Sequence, residues 1–478
     1  MENFIVIDRL EVSSAAVEEN RVISNYTVMK DGSVDRFKFI YRFEEAVFKK
    51  ENPWAPNLAN LIAAQAAFNY GLFCKKIIFH GPFDRTDRRF ILKMCHNTAR
   101  EIYVKKLLEP NVFLSNQAQR IQAIKRDSYL NAEIQFDEPI SSNQLPEWDV
   151  SPQRCAVLLS GGKESLLSYG ILKEIAPEVY PVFINESGRH WYTSLNSYRS
   201  FREQFLETSR VWTNSDRLFC WMLRHLPFIR KDFTRIRSDE YPIRLWTVSV
   251  FLFGALPLML KKGIGRIVIG DEYDTTRKES YMGISHYDGL YDQSRYFDIA
   301  LTDYYRKKRW NVQQFSILRP LSELLVEKVL AVRYPQLQKD QVSCHAAHIE
   351  GGWVYPCGKC EKCHRIIGML MALGADPRVC GYSDEQIAKC LKNLPKRVLH
   401  QESEVARHTL FLLKQKGLIG QCDCNEPHPE VEKLRFNPER SPQDSIPADL
   451  KAPLFQILLK YATGAVKKVH GKWVDTDL

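Results

Sequence analysis

Two stretches of this 478-residue chain hold residue types and spacings that can do chemistry. The first is CAVLLSGGKES, Cys155 to Ser165. An apolar run, Cys155–Leu159, stops at Ser160-Gly161-Gly162, and apolar residues at helical spacing resume from Leu166. Two glycines let the backbone take positive φ and come close to an oxyanion. The amides of the turn and of the helix N-terminus then point at one place and favour negative charge there. Ser160 and Ser165 add hydroxyl donors, and Lys163 adds a cation. The stretch is not G-x-x-x-x-G-K-[ST], because Val157 stands where the first glycine is required and Glu164 follows the lysine. A tight strand-to-helix turn without a ligand is the plain alternative.

The second stretch is SCHAAHIEGGWVYPCGKCEKCHRIIGML, which places Cys344, Cys357, Cys360 and Cys363 in a C-x12-C-x2-C-x2-C pattern. The C-x2-C spacing lets successive thiolates face one tetrahedral ion, and the distant fourth closes the site. Four thiolates leave no open coordination position, which points to structural Zn2+. Replacement of one thiol by His345, His348 or His364 stays open at this point, as does an iron–sulfur cluster or a redox role. Cys422-Asp-Cys424 with His428 has poor tetrahedral spacing and reads as coincidence.

These residues need a scaffold. Strand-like pieces (FIVIDRLEV, NYTVMK, FKFIYRF, KKIIFHG) alternate with helical ones in residues 1–145, which predicts an α/β or α+β domain. A polar stretch, Ser141–Arg154, reads as a linker. Residues 152–375 repeat strand and helix, with strands at Cys155–Leu159, Val179–Glu186 and Gly265–Asp271, and so predict a parallel doubly wound sheet. Residues 376–478 read as a mainly helical extension ending in the helix APLFQILLKYATGAVKK. No internal repeat is present.

Composition is that of a soluble globular protein, 45% hydrophobic and 26% charged, and long enough for two or three domains. Its net charge of +10 leaves room for an anionic substrate without requiring nucleic acid. The densest basic run, Tyr304–Trp310, reads as the solvated side of a helix. The apolar run Thr247–Leu260 is too short to span a bilayer and predicts a buried helix. Twelve cysteines in a long chain with no signal-peptide pattern predict thiols and a cytoplasmic setting.

An SGGxDS-like loop upstream of a three-cysteine run with an outlying cysteine resembles the QueC family, the 7-cyano-7-deazaguanine synthases of the ATP pyrophosphatase superfamily. INESGRH resembles the family's second-strand sequence at Arg189 and His190, EYPIRLW its Pro-x-Arg-Asn at Pro242 and Arg244, and YDQSR its Tyr-Pro-Asp-Cys-Arg at Tyr291 and Arg295. RPLSELLVEKVL resembles the Pro-Leu-rich start of the helix before the cysteines. Glu164 replaces the family's aspartate and Leu245 its asparagine, and the resemblance covers Arg154 to Leu373 only.

The resemblance implies a ligase that uses ATP and Mg2+ to adenylate a 7-carboxy-7-deazaguanine-like substrate and couples it to an amine. It implies that Leu159, Ser160, Gly161, Gly162, Lys163 and Ser165 hold the nucleotide, and that Glu164 organises Mg2+. Arg189 and Arg244 would offset phosphate or carboxylate charge, while His190, Tyr291 and Arg295 would face the substrate. The added residues on both sides suggest a partner protein or protein acceptor, and enlarged chains of this kind are linked to bacterial anti-phage defence. A tRNA-modifying enzyme and a non-catalytic nucleotide sensor are the competing readings.

Overall fold

The computed structural model describes residues 4–49, 51–115, 121–137, 145–188, 190–236, 238, 241–344, 346–397, 401–420 and 426–478, with no account of the His190 side chain. Four strands open the chain, β1 (Ile7–Val12), β2 (Ala16–Glu18), β3 (Arg21–Lys30) and β4 (Ser33–Phe43), followed by helix α1 (Ala55–Ala64), β5 (Cys74–Phe79), α2 (Arg85–Ile102) and β6 (Glu133–Phe136). The middle of the chain alternates β7 (Ser151–Leu159), α3 (Lys163–Ile175), β8 (Glu178–Asn185), α4 (His190–Gln204) and β9 (Ser209–Thr213). It continues with α5 (Ser215–Leu223), α6 (Val248–Lys262), β10 (Ile264–Val268), the hairpin β11 (Glu279–Tyr281) and β12 (Ile284–His286), α7 (Arg295–Lys307) and β13 (Gln313–Phe315).

The third part holds α8 (Glu323–Arg333), α9 (Pro335–Gln338), a small hairpin of β14 (His348–Glu350) and β15 (Trp353–Tyr355), and α10 (Glu361–Leu373). It closes with α11 (Asp384–Asn393), α12 (Ser403–Gln415), β16 (Leu434–Phe436), α13 (Ala448–Leu458), β17 (Ala465–Val469) and β18 (Lys472–Asp475).

The molecule is α/β with a mainly parallel central sheet. Five strands run parallel in the order β13-β10-β7-β8-β9. From β7 the chain winds outward through β8 and β9, then returns to place β10 on the other side of β7. The winding direction therefore reverses between β7 and β10, and the crevice outside the carboxyl ends of those two strands is where doubly wound sheets bind ligands.

The sheet does not stop at β9. β4 pairs antiparallel with it at Tyr41↔Thr213, Arg42↔Trp212 and Phe43↔Val211, so β4-β3-β1-β5-β6 extend it to eleven strands, with β2 paired to β3. One apolar core accordingly runs from Phe4 to Val312 without a break at the expected linker. That linker is shorter than its polarity suggested. Trp148 is buried and stacks on Trp310 at 4.5 Å between ring centroids, and β7 already begins at Ser151. Residues 141–144 of the stretch lie outside the described residues.

Two further expectations need correction. The basic run Tyr304–Trp310 is not all solvated: Tyr304, Tyr305, Lys308 and Trp310 are buried, and Arg306, Lys307 and Arg309 extend into solvent. Lys308 pairs with Asp84 and Asp87, the two carboxylates that cap α2. A lysine is buried only where such partners satisfy it. The last helix also ends early, at Leu458, and Ala465–Val469 is a strand that pairs with β16 and β18. His470 and Gly471 both take positive φ, 47° and 81°, the turn that a two-residue hairpin loop requires. The predicted buried helix at Thr247–Leu260 is α6, and no helix among the described residues is long and apolar enough to cross a membrane.

Candidate functional site

Leu159, buried, ends β7, and Ser160 to Gly162 turn the chain into α3 at the carboxyl edge where the winding reverses. Gly161 takes φ +76°, and a Cβ there would lie 2.1 Å from the carbonyl oxygen of Thr193 in α4. Only glycine fits both restrictions. Ser160 is exposed. Its carbonyl accepts from Ser194 Oγ at 2.8 Å, and its N–H donates to Ser165 Oγ at 3.2 Å. Gly162 is the N-cap of α3 and provides no side chain to cap it, whereas α2, α7, α8 and α11 are capped by Asp84, Ser294, Ser322 and Ser383. The first-turn amides of α3 thus keep the character of an anion site.

Lys163 departs from expectation. Its ammonium is buried in ion pairs with Glu164 and with Glu323 of α8, the latter at 2.8 Å. Burial works against its charge, but Glu164 and then Glu323 outweigh it and hold its pKa well above the usual lysine range. Lys163 is therefore committed to carboxylates within the protein rather than standing free for a ligand. Glu164 remains part-exposed, with Oε2 3.2 Å from where a Cβ of Gly162 would be.

The chain leaving β10 delivers more carboxylates. At Gly270 a Cβ would meet the backbone of Glu164 at 2.7 Å, so this segment runs against the first turn of α3. Asp271, Glu272 and Asp274 follow directly. Arg319, fully buried, holds this loop by donating to Thr275 Oγ1 at 2.7 Å and pairing with Asp298 at 2.6 Å and Asp271 at 3.5 Å. Burial pushes Asp271 and Glu272 far up, and Glu164 with Asp274 raise Glu272 further. Burial and then Glu323 and Glu402 bring Asp274 to about 6. Burial would raise Glu323 too, but Arg365 and Lys163 hold it at about 2. Glu272 is 8% exposed. The site therefore gathers more carboxyl groups than cations, with burial favouring the neutral form of Asp271 and Glu272, and an arriving cation would favour their ionised form instead.

Among the described residues, the one group of three or more ligand atoms within 4.8 Å of one another is Cys344, Cys357, Cys360 and Cys363. Sulfur separations are 3.5 Å (Cys360–Cys363), 3.9 Å (Cys357–Cys363) and 3.9 Å (Cys344–Cys360). A tetrahedron with ~2.3 Å zinc–sulfur bonds has edges of ~3.8 Å. The cluster can hold a metal such as zinc. Backbone N–H groups of Ala346 and Cys357 donate to Cys344 Sγ, and those of Lys359 and Cys360 to Cys357 Sγ, which favours thiolates. His364 does not join, since its Nδ1 lies 2.9 Å from the Cys360 carbonyl oxygen. His348 is exposed on β14, and His345 lies outside the described residues, as do Cys422 and Cys424.

The remaining expected residues scatter. Arg189 and the His190 side chain lie outside the description, although α4, which His190 begins, packs on the turn through Thr193 and Ser194. Arg244 is spent elsewhere. It forms a buried pair with Glu186 at 2.7 Å and stacks on Phe219 and Tyr241, so it offers no free guanidinium to a phosphate. Tyr291 is buried against Tyr287 and Phe297. Arg295 starts α7, half-buried, donating its backbone N–H to Thr276 on the β10 loop, and its Nε has no partner.

Sequence reading passed over Glu272, Asp274, Glu323, Lys362 and Arg365. The acids of the β10 loop had a positional signal, because they follow a parallel strand directly. Lys362 lies exposed between Cys360 and Cys363. No protein-family model matches the chain, and no curated protein matches it.

Proposed function

We propose that the chain is an ATP-dependent, AMP-forming ligase of the deazaguanine-carboxylate type. The reading is carried by one observation: an uncapped glycine turn at the carboxyl end of β7, where the winding reverses, faces acids from the β10 loop. Backbone amides of that turn suit a polyphosphate, and Glu164, Glu272 and Asp274 suit Mg2+ carried with it.

The chemistry needs little covalent help. A substrate carboxylate oxygen attacks the α phosphorus of ATP, the bond between the α and β phosphates breaks, and pyrophosphate leaves. The acyl adenylate is then attacked by a neutral amine, the bond to AMP breaks, and a proton passes to solvent. The protein supplies orientation and charge stabilisation of pyrophosphate, the role of the turn with Ser160 and Ser165. Zn2+ on the four thiolates has no open position and would be structural. The amine is ammonia or an amine of a partner protein, and defence against phage is the setting that the resemblance suggests. Incubation with ATP, Mg2+ and 7-carboxy-7-deazaguanine tests the reading. Formation of AMP and pyrophosphate that depends on the carboxylate is expected, and ATP binding without turnover would favour the sensor instead.

A further inference from the structure

Two separate connections run from the cysteine knuckle to the glycine turn. One is through the backbone: Val342, two residues before Cys344, donates its N–H to Gly161 O at 3.0 Å. The other is ionic. Arg365, two residues after Cys363 on α10, pairs with Glu323, and the same carboxylate holds Lys163. Glu323 is 2% exposed and Lys163 4%, so water cannot stand in for a lost partner. Gly161 is fixed from its other side by Thr193 and cannot yield alone.

We infer that the metal-bound knuckle sets the shape of the glycine turn, with Val342, Glu323 and Arg365 as its positioning residues. Cys360 is the N-cap of α10 and its sulfur meets those of Cys344 and Cys363, so the knuckle fixes the first turn of the helix. Without metal, Arg365 loses its fixed approach to Glu323, and the segment carrying Val342 loses its anchor at Cys344. Lys163 is then left sharing an unbalanced buried carboxylate, and the turn relaxes. Metal binding and anion binding become thermodynamically linked, each strengthening the other by the same factor. That consequence for anions rests on the reading of the turn proposed above, whereas the mechanical link does not.

Hydrogen exchange on the full chain tests it. Chelation of the metal should speed exchange of peptides covering 158–168 by about tenfold or more, while β1 and β5 keep their protection. Arg365→Met should do the same with its metal still bound, and Arg365→Lys should restore part of the protection. If chelation unfolds the chain, the zinc-bound Arg365→Met protein decides alone. Unchanged protection of 158–168 in that variant overturns the inference. Titration with inorganic pyrophosphate separates the two readings. Coupled exchange with no pyrophosphate binding leaves the link standing and removes the anion cradle. Pyrophosphate binding of equal strength in the wild-type and Arg365→Met proteins removes the linkage between metal and anion and leaves the cradle.

Discussion

Glu272 sets the problem at the scale of single residues, because it is a buried carboxylate whose nearest charged neighbours include Glu164 and Asp274. Glu272→Gln removes that repulsion. The variant should be more stable than the wild type by about 1 kcal/mol in urea denaturation, yet lose Mg2+-dependent pyrophosphate release by about a hundredfold. Glu327 of α8 gives a pH signature. Burial raises it to about 7 from 4.5. An acid whose folded pKa is raised favours the native state in its protonated form, so its contribution is complete below about 4.5 and is lost as pH rises through about 7. Urea midpoints should fall across that window by at most ~1.4 kcal/mol per pH unit, and Glu327→Gln should flatten the slope. At this scale the glycines and thiols were legible because few other roles demand those types at that spacing. The commitment of Lys163 was not, since Glu323 lies 160 residues away and only tertiary packing joins them. Arg244 misled for the same reason, its counter-ion Glu186 being a neighbour in space alone.

Elements were read best where periodicity was strong. β7, β8, β10, α3 and α6 all lie where alternating or helical patterns put them. The reading failed at the C-terminus, where AVKKV followed an apolar helix and lacked a familiar turn signal. His470-Gly471 performs the turn that Asn-Gly usually marks, and a histidine at φ 47° pays for its Cβ. His470→Asn should therefore stabilise the β17–β18 hairpin by about 0.5 kcal/mol, measured by thermal denaturation, with no change in metal content. A drop in stability would mean that His470 makes a contact that matters more than its backbone.

Over the whole molecule, the six strands between Ile7 and Phe136 are woven into the same sheet that carries the glycine turn. β4 covers the edge of β9, and Tyr41 of β4 donates to the Val250 carbonyl of α6. A chain covering 146–478 alone would expose the β9 edge and half of the shared core, which no sequence pattern reveals because pairing partners lie far apart in the chain. It should be insoluble or bind a hydrophobic dye strongly, and a soluble, cooperatively unfolding fragment would contradict the continuous sheet. The sheet holds β7 and β10 parallel, and their carboxyl ends place the first turn of α3 against Gly270, two residues before Glu272. The reaction proposed for that place is tested most directly by isotope exchange between labelled pyrophosphate and ATP in the presence of 7-carboxy-7-deazaguanine. Exchange that requires the carboxylate and Mg2+, and disappears in Gly161→Ala, is the predicted result. Absence of exchange from a correctly folded, zinc-bound protein that still binds both substrates would contradict it.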